Sequence, residues 1–353
     1  MAQEEFEKLP EEEQKQKKKK KKKSGCLIAM IVVLAIVLVL LIAAALGLNY
    51  FFGRLGRFEN PVQEGETIGM LPDDMETDPA ENVEGLETVD ASDVIFETVD
   101  VLEGDVVNIM LIGQDRRPGE DRARSDSMIL VSMNEKKGTI QLTSFMRDLY
   151  VQIPGYLDTR LNAAYRYGGT DLMNETFKVN FGLEIDGNVM VDFDEFTEII
   201  EIVGGVTLDI SSAEAGYMNR NSKNRFSEGS TYFNAEDALT FTRMRYAAGG
   251  DYGRTDRQRR VLMAIAYSLQ DAELKTIFKL IDQVLPHIVT NLTDAQIVKY
   301  TTTGLGILAG GGKIDTFRIP QDDAHYAANI RGMSVLVPDL AMCREDLKEF
   351  IYD

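Results

Sequence analysis

The chain predicts an α/β layered domain held outside the cell by a single membrane helix, and three observations lead there. A charge-free apolar run, Gly25 to Leu48, follows a lysine-rich amino terminus. An acidic segment containing Pro61, Pro72 and Pro79 comes next. Beyond Asp105, short apolar runs alternate with segments of helical spacing. The 353 residues carry a net charge of −19, with 44% apolar residues, two Cys, two His and no Trp. This composition supports a real core and excludes a wholly disordered chain. Cys26 and Cys343 are too far apart for a disulfide scaffold or a multi-Cys metal site. His287 and His325 give little basis for a His-based metal site or a Ser/His/Asp triad. Any metal here should be a hard cation on carboxylates.

Residues 1–24 hold nine Lys against six Glu, with Lys17 to Lys23 unbroken, and read as a cytoplasmic tail. The 24-residue run at 25–48 spans about 36 Å as a helix, more than the roughly 30 Å hydrocarbon core, so it crosses with some tilt. Ala43-Ala44-Ala45 resembles a signal-peptidase site, but the apolar run is longer than a cleaved signal needs. It reads as an uncleaved signal anchor. Cys26 precedes the run and is not placed for lipoprotein attachment. The lysines stay inside, which puts residues 49–353 outside the cell as part of a single-pass protein of the cell membrane. The lysine run either touches anionic headgroups or serves topology alone. From Phe58 to Asp105 there are sixteen Asp or Glu and no Lys or Arg. Residues 49–104 are therefore expected to be an extended, self-repelling tether to a domain at 105–353.

Within that domain, Val106 to Gly113 suits a buried strand. Ser127–Met133 and Thr139–Phe145 suit a hairpin closed by Asn134–Gly138. A helix is expected over Gly169–Val179, a strand over Gly187–Phe193, and an amphipathic helix over Glu195–Ile202 that stops at Gly204-Gly205. Val206–Ile210 is a strand. Asn234 caps a helix reaching Tyr246, and Thr255–Gln270 forms another. Ala272–Leu285 and Thr293–Leu308 read as helices, and Lys313–Ile319 and Gly332–Val337 as strands. Gly304–Lys313 is glycine-rich but fits neither nucleotide fingerprint, since Ile314 stands where a hydroxyl is needed. It reads as a loop.

Arg243, Arg245, Arg254, Arg257, Arg259 and Arg260 fall within eighteen residues. Arg254, Arg257 and Gln258 share a helix face. The glycine-rich turn Ala248–Gly253 would bring this face near Arg243 and Arg245. Such a set either binds a diphosphate through bidentate forks or is a solvated basic face paired with Asp251 and Asp256. Nucleic acid does not suit an outward-facing, acidic domain. Asp115 and Asp126 sit at strand ends, where α/β sheets place ligands. They hold Mg²⁺ beside a diphosphate or simply serve turns and caps. Arg147-Asp148 leaves the third strand near the same edge.

Seven motifs then occur in order: Ile112-Gly113-Gln114-Asp115, Arg124-Ser125-Asp126-Ser127-Met128, Ser144-Phe145-Met146-Arg147-Asp148, Leu161–Gly169, Val203-Gly204-Gly205-Val206, the Asn234…Arg243-Met244-Arg245 helix, and Gly253–Arg259. Together they resemble the LytR–CpsA–Psr family of bacterial cell-wall ligases over roughly 105–270, with Phe145-Met146 replacing the family's usual Ile-Pro. The resemblance implies an αβα sandwich with a central mixed or mostly antiparallel sheet. It further implies transfer of a glycopolymer (teichoic acid, or a capsular or secondary polysaccharide) from undecaprenyl diphosphate to a peptidoglycan sugar hydroxyl. By carry-over, Asp115 and Asp126 hold Mg²⁺ or Mn²⁺. Arg147, Arg243, Arg245, Arg254, Arg257 and Gln258 hold the diphosphate, and Asp115, Asp126, Arg147 and Arg254 are the catalytic group. Val191, Phe193 and Phe196 are candidates for a polyprenyl pocket, although core packing explains them equally. Two other functions fit the same residues: a non-catalytic receptor for polyprenyl diphosphate or wall polymer, and a lipid pyrophosphatase.

Overall fold

The apolar runs pair into one mixed sheet. The computed structural model describes residues 56–57, 84–97, 99–114, 125–244, 250–270, 279, 283 and 288–353, within the unit Leu55–Asp353. At residues 57, 114, 126, 192–195, 250, 251, 269 and 270 only the backbone is described. The expected cytoplasmic tail, the membrane helix expected at 25–48 and nearly all of the helix expected at Ala272–Leu285 lie outside the described residues. Among the described residues, no helix is long and apolar enough to cross a membrane.

In chain order the first elements are β1 (Gly56–Arg57), β2 (Val107–Gln114), β3 (Ser125–Asn134), β4 (Thr139–Phe145), β5 (Tyr150–Val151), β6 (Thr159–Arg160) and α1 (Ala163–Phe181). Next come β7 (Gly187–Asp192), α2 (Phe193–Val203), β8 (Val206–Ile210), α3 (Ser212–Asn221), β9 (Gly229–Phe233), α4 (Ala235–Thr242) and α5 (Gly250–Gln270). The last are β10 (Val289–Thr290), α6 (Asp294–Ala309), β11 (Lys313–Ile319), β12 (His325–Ile330), β13 (Met333–Pro338) and α7 (Leu340–Leu347). The main sheet runs β1-β10-β7-β2-β3-β4-β11. β2, β3 and β4 form an antiparallel meander, while β7 and β11 join parallel to β2 and β4. Parallel neighbours require crossovers, and helices supply them on both faces.

Strand alternation divides the core. Met110, Ile112, Met128, Leu130 and Phe145 face α1, where Phe177 and Phe181 are fully buried. Each such aromatic contributes about 1.5–3 kcal/mol by burial. Ile109, Ile129, Ile140 and Leu142 face α5 and α6. A third cluster joins α2, β8, β9, α3 and α4 to the outer side of α5 through Val261 and Ile265. α5 thus packs on the sheet with one side and on this smaller module with the other.

Several boundaries differ from the sequence reading. α5 starts at Gly250, five residues before Thr255, and takes part of the glycine-rich turn into the helix. A Gly in a helix costs only about 1 kcal/mol, and Tyr252 is anchored there by His325. α4 ends at Thr242 with Arg243 as its C-cap, not at Tyr246. Asn234 does cap α4, its side chain accepting the Asp237 N–H. The β3–β4 turn is one residue tighter than expected, because Asn134 still pairs with Thr139. The tether expected at 49–104 does not reach 104. Val89, Ala91, Val94 and Phe96 pack on the β12–β13 hairpin, and the Leu102 N–H donates to the Gly182 carbonyl at 2.8 Å. Apolar residues at irregular spacing dock this acidic stretch, a pattern that periodicity does not reveal.

α1 kinks at Gly168 and Gly169, the latter at φ 64°, ψ −152°. Gly169 is buried, and that backbone region is essentially closed to other residues. Gly169→Ala is expected to destabilise the domain by about 1–3 kcal/mol. Thermal unfolding of the two proteins checks this, and unchanged melting would show the kink to be unstrained.

Candidate active site

The strand ends of β3 and β4 meet the amino-terminal half of α5. The β2–β3 ladder carries an irregularity at its end, where Gly113 pairs with Ser127 but Gln114 pairs with Ser125. Asp126 is therefore the extra residue of a bulge, a device that re-aims side chains at sheet edges. Asp115 follows Gln114 in the sequence and lies outside the described residues, as does Arg245. The side chains of Asp126 and Phe193 also lie outside them.

Two contacts carry α5 to this edge. The Ser127 hydroxyl donates to Gln258 Oε1 at 3.0 Å. The Thr255 hydroxyl lies 4.0 Å from the Met146 sulfur. Arg254 is one helical turn before Gln258, on the same face, and is 4% exposed. Arg147 leaves β4 next to Met146, two residues beyond Phe145. Asp126 lies two residues before Met128, and Phe145 pairs with Met128. The backbone of Asp126 and the residues Arg147, Arg254 and Gln258 thus gather at one end of the sheet.

Arg147 is oriented from below. Its Nε lies 3.5 Å from Asp148 Oδ2, and the other oxygen of Asp148 faces Arg160 Nη1 at 3.5 Å. Arg160 is itself buried in β6. The Arg147 carbonyl accepts the Asn162 N–H at 3.1 Å. Arg243, at the end of α4, is exposed.

Arg257 holds a different place. It is 1% exposed, donates to the Met244 carbonyl, and lies 3.7 Å from Glu214 Oε1. Burial lowers its pKa, the Glu214 charge opposes this, and the Arg260 charge adds to the lowering. Glu214 also receives Arg260 Nη1 at 2.8 Å and closes the α3 capping box with Ser211. Burial raises the Glu214 pKa, but the Arg260 hydrogen bond, the Ser211 N–H and the two arginine charges outweigh it and hold the carboxyl below its ordinary value. The Arg257 side chain therefore ties α5 to α3 and α4. The motif Ser211-x-x-Glu214 is a legible capping signal, but nothing in its spacing shows that the same carboxylate faces Arg257.

Behind Gln258 lies an apolar cavity of about 160 Å³, walled by the sheet, α2 and α5. Val191 and Phe196 line it with Ile199, Leu262 and Ile265, while Ser127, Gln258 and Thr242 supply polar atoms. Among the described residues, no group of three or more His, Cys, Asp or Glu side chains is assembled to hold a metal ion. Mg²⁺ needs only one or two carboxylates when phosphate oxygens complete its shell. Asp115, next after Gln114 in the sequence, and Asp126 carry carboxylate oxygens of the hard type that Mg²⁺ takes.

The fold and the site define a mixed-sheet αβα domain with arginines gathered at a strand-end mouth in front of an apolar cavity. The chain belongs to the LytR_cpsA_psr family, whose sequence profile matches residues 75–349. It is 31% identical over 238 residues to the polyisoprenyl-teichoic acid–peptidoglycan teichoic acid transferase TagU of Bacillus mycoides, covering 66% of this chain and 74% of that one. The crystal structure of Bacillus subtilis TagV superimposes with a TM-score of 0.55 at 28% identity, covering 71% of this chain and 99% of that one. TagT with bound octaprenyl pyrophosphate lipid shares the fold at a TM-score of 0.54 and 21% identity, over 73% of this chain and 97% of that one.

Proposed function

We propose that this chain is a membrane-anchored phosphotransferase that moves an anionic glycopolymer from a polyprenyl diphosphate to a peptidoglycan sugar hydroxyl, on the outer face of the cell membrane. The observation that carries the reading is the position of Gln258. It lines the apolar cavity and bonds Ser127 at the strand end, one turn from Arg254. An amphiphile with an apolar tail and a diphosphate head matches that sequence of surfaces. The teichoic acid transferases similar to this chain are named for a polyisoprenyl-linked teichoic acid, which supports a prenyl-linked donor here.

In this reading Arg147 and Arg254 grip the diphosphate through charge-assisted bonds, Arg243 approaches it from the C-cap of α4, and the family resemblance assigns Arg245 to the same group. The acceptor hydroxyl oxygen attacks the phosphorus nearest the polymer, and its proton passes to the departing phosphate. A phosphodiester forms, the bond to the bridging oxygen breaks, and polyprenyl phosphate leaves. Charge gathers on that bridging oxygen, where preorganised guanidinium donors are most effective. A divalent ion on Asp115 and Asp126 would supply Lewis-acid stabilisation of the phosphoryl oxygens. The diphosphate linkage already carries the driving force, so no nucleotide is needed.

The test incubates the full chain with a polyprenyl-diphosphate-linked polymer, with and without peptidoglycan, and measures polymer on the wall fraction and free prenyl phosphate. Release that depends on acceptor, and that stops when EDTA removes divalent ions, is the expected result. Release without acceptor would make the chain a lipid pyrophosphatase. Binding without release would make it a receptor. The cavity gives a second expectation: Val191→Trp fills its wall and should weaken binding of long prenyl diphosphates at least tenfold. Very short chains should be affected much less. Equal losses for long and short chains, measured by direct binding, would place the tail elsewhere.

A further inference from the structure

A second pair of guanidinium groups lies further out along the same sheet end. Arg318 is in the edge strand β11, in register with Ser144 of β4, so the two side chains share the face beneath α5. α5 packs on both strands and contributes Arg259, which is 6% exposed. Arg259 Nη2 reaches Asp256 only at 3.5 Å. Its Nε and Nη1, together with the Ser144 hydroxyl, are buried with no hydrogen-bond partner among the described residues. Burial lowers the Arg259 pKa, Asp256 opposes this, and the nearby charge of Arg318 lowers it further. Unsatisfied buried donors beside a like charge are costly, and an oxyanion between the two guanidiniums relieves both penalties.

The site is also built for orientation. The Arg318 guanidinium stacks 4.2 Å from the centre of the Tyr252 ring, and its Nε donates to the Pro320 carbonyl at 2.9 Å. The Tyr252 hydroxyl meets His325 Nε2, while His325 Nδ1 faces the Gln321 carbonyl at 2.8 Å. A carbonyl only accepts, so Nδ1 carries the proton and Nε2 receives the phenol. The carboxylates that pair with the two arginines lie at the rim: Asp322 is 88% exposed and Asp256 is 48% exposed. Exposed pairs of this kind hold weakly and yield to a better anion.

We propose that Arg259 and Arg318, with the Ser144 hydroxyl, form a second oxyanion subsite that takes a phosphate group of the glycopolymer itself. β11 is two strands from β3, so this subsite lies about 10 Å across the sheet from the strand end where Ser127 meets Gln258. The inference rests on the ligase reading and adds a basis for preferring anionic polymers. A carboxylate on the acceptor glycan has the same chemistry, and the experiment separates the two sources.

The full chain in detergent micelles is given three donors: a bare prenyl diphosphate, the same carrier with an uncharged oligosaccharide, and the carrier with a phosphodiester-linked polymer. Arg318→Gln and Arg259→Gln are expected to raise the KM or Kd of the third donor about tenfold relative to the other two, with Arg318→Lys intermediate. Melting curves and binding of the bare prenyl diphosphate report whether the variants remain folded. A uniform loss across all three donors in folded protein overturns the proposal, since the arginines would then act through α5 on Arg254. Unchanged selectivity overturns it as well. A rise confined to the KM of the acceptor assigns the oxyanion to the acceptor glycan and overturns the polymer assignment. If the parent protein binds none of the donors, the ligase reading falls too, whereas parent binding without a selectivity change in the variants sinks this inference alone.

Discussion

Arg254→Ala is expected to lower polymer transfer by about 10²–10³-fold, the loss associated with one preorganised charge-stabilising donor. Arg254 is almost fully buried, so its charge acts in a low-dielectric setting where attraction to a phosphoryl group is strong. It directly precedes Thr255, which meets Met146, and lies one turn before Gln258, which bonds Ser127. The stretch of α5 that carries it is therefore fixed against the sheet before a donor arrives. Arg254→Lys keeps the charge but loses bidentate geometry, and it should recover only part of the rate. Arg147→Ala should fall in the same range, because Asp148 and Arg160 hold that side chain from below. The measurement is the rate of polymer incorporation into peptidoglycan, with circular dichroism to confirm the fold. Parent-like transfer by both alanine variants would remove the proposed site.

Glu214→Ala should be the most destabilising single change, by about 3–5 kcal/mol, the cost of leaving a buried charge without its counterion. Arg257 is the charge left behind, and the same substitution breaks the α3 capping box. Glu214→Gln separates these effects by keeping the side-chain shape at the cap while removing the charge. Because the folded Glu214 has a lowered pKa, its contribution is fully present above the ordinary glutamate value of about 4.3. It is lost as pH falls through the lower folded value. Denaturant titrations should therefore show parent and Glu214→Gln well separated at neutral pH and converging in acid. A constant gap between them would mean that the carboxylate charge stabilises nothing. Since Arg257 anchors α5, transfer by Glu214→Gln should fall alongside stability.

Much of the main sheet was legible. The runs at β2, β3, β4, β7 and β11 were legible to within two residues, because each is a short stretch bounded by turn residues whose apolar side chains face a core cluster. α3, β9, β12 and α7 were not read. Their faces are half exposed, so their apolar residues are too few to set a period. The docked stretch at 84–104 was hidden for a related reason: sixteen carboxylates from Phe58 to Asp105 describe a repelling tether, while Val89, Val94, Phe96 and Leu102 attach it at irregular intervals. Among the site residues, helical spacing put Arg254 and Gln258 on one face, and the family resemblance assigned them to the diphosphate. Arg257, three positions from Arg254, carried the same signal yet turns toward Glu214, because α5 packs on two bodies and spacing does not say which side meets which.

By itself, the order of residues determined the chemistry on offer: arginines and aspartates with no usable His or Cys pairs, an apolar run followed by an acidic stretch, and alternating strands and helices. Those properties are local and can be read from composition and period. The tertiary structure alone decided which arginines come to the strand-end edge, which one is locked to Glu214, and that Arg259 is buried against the sheet. That choice depends on how α5 is wedged between the sheet and the α2–α4 module, a packing set by contacts between residues far apart in the chain.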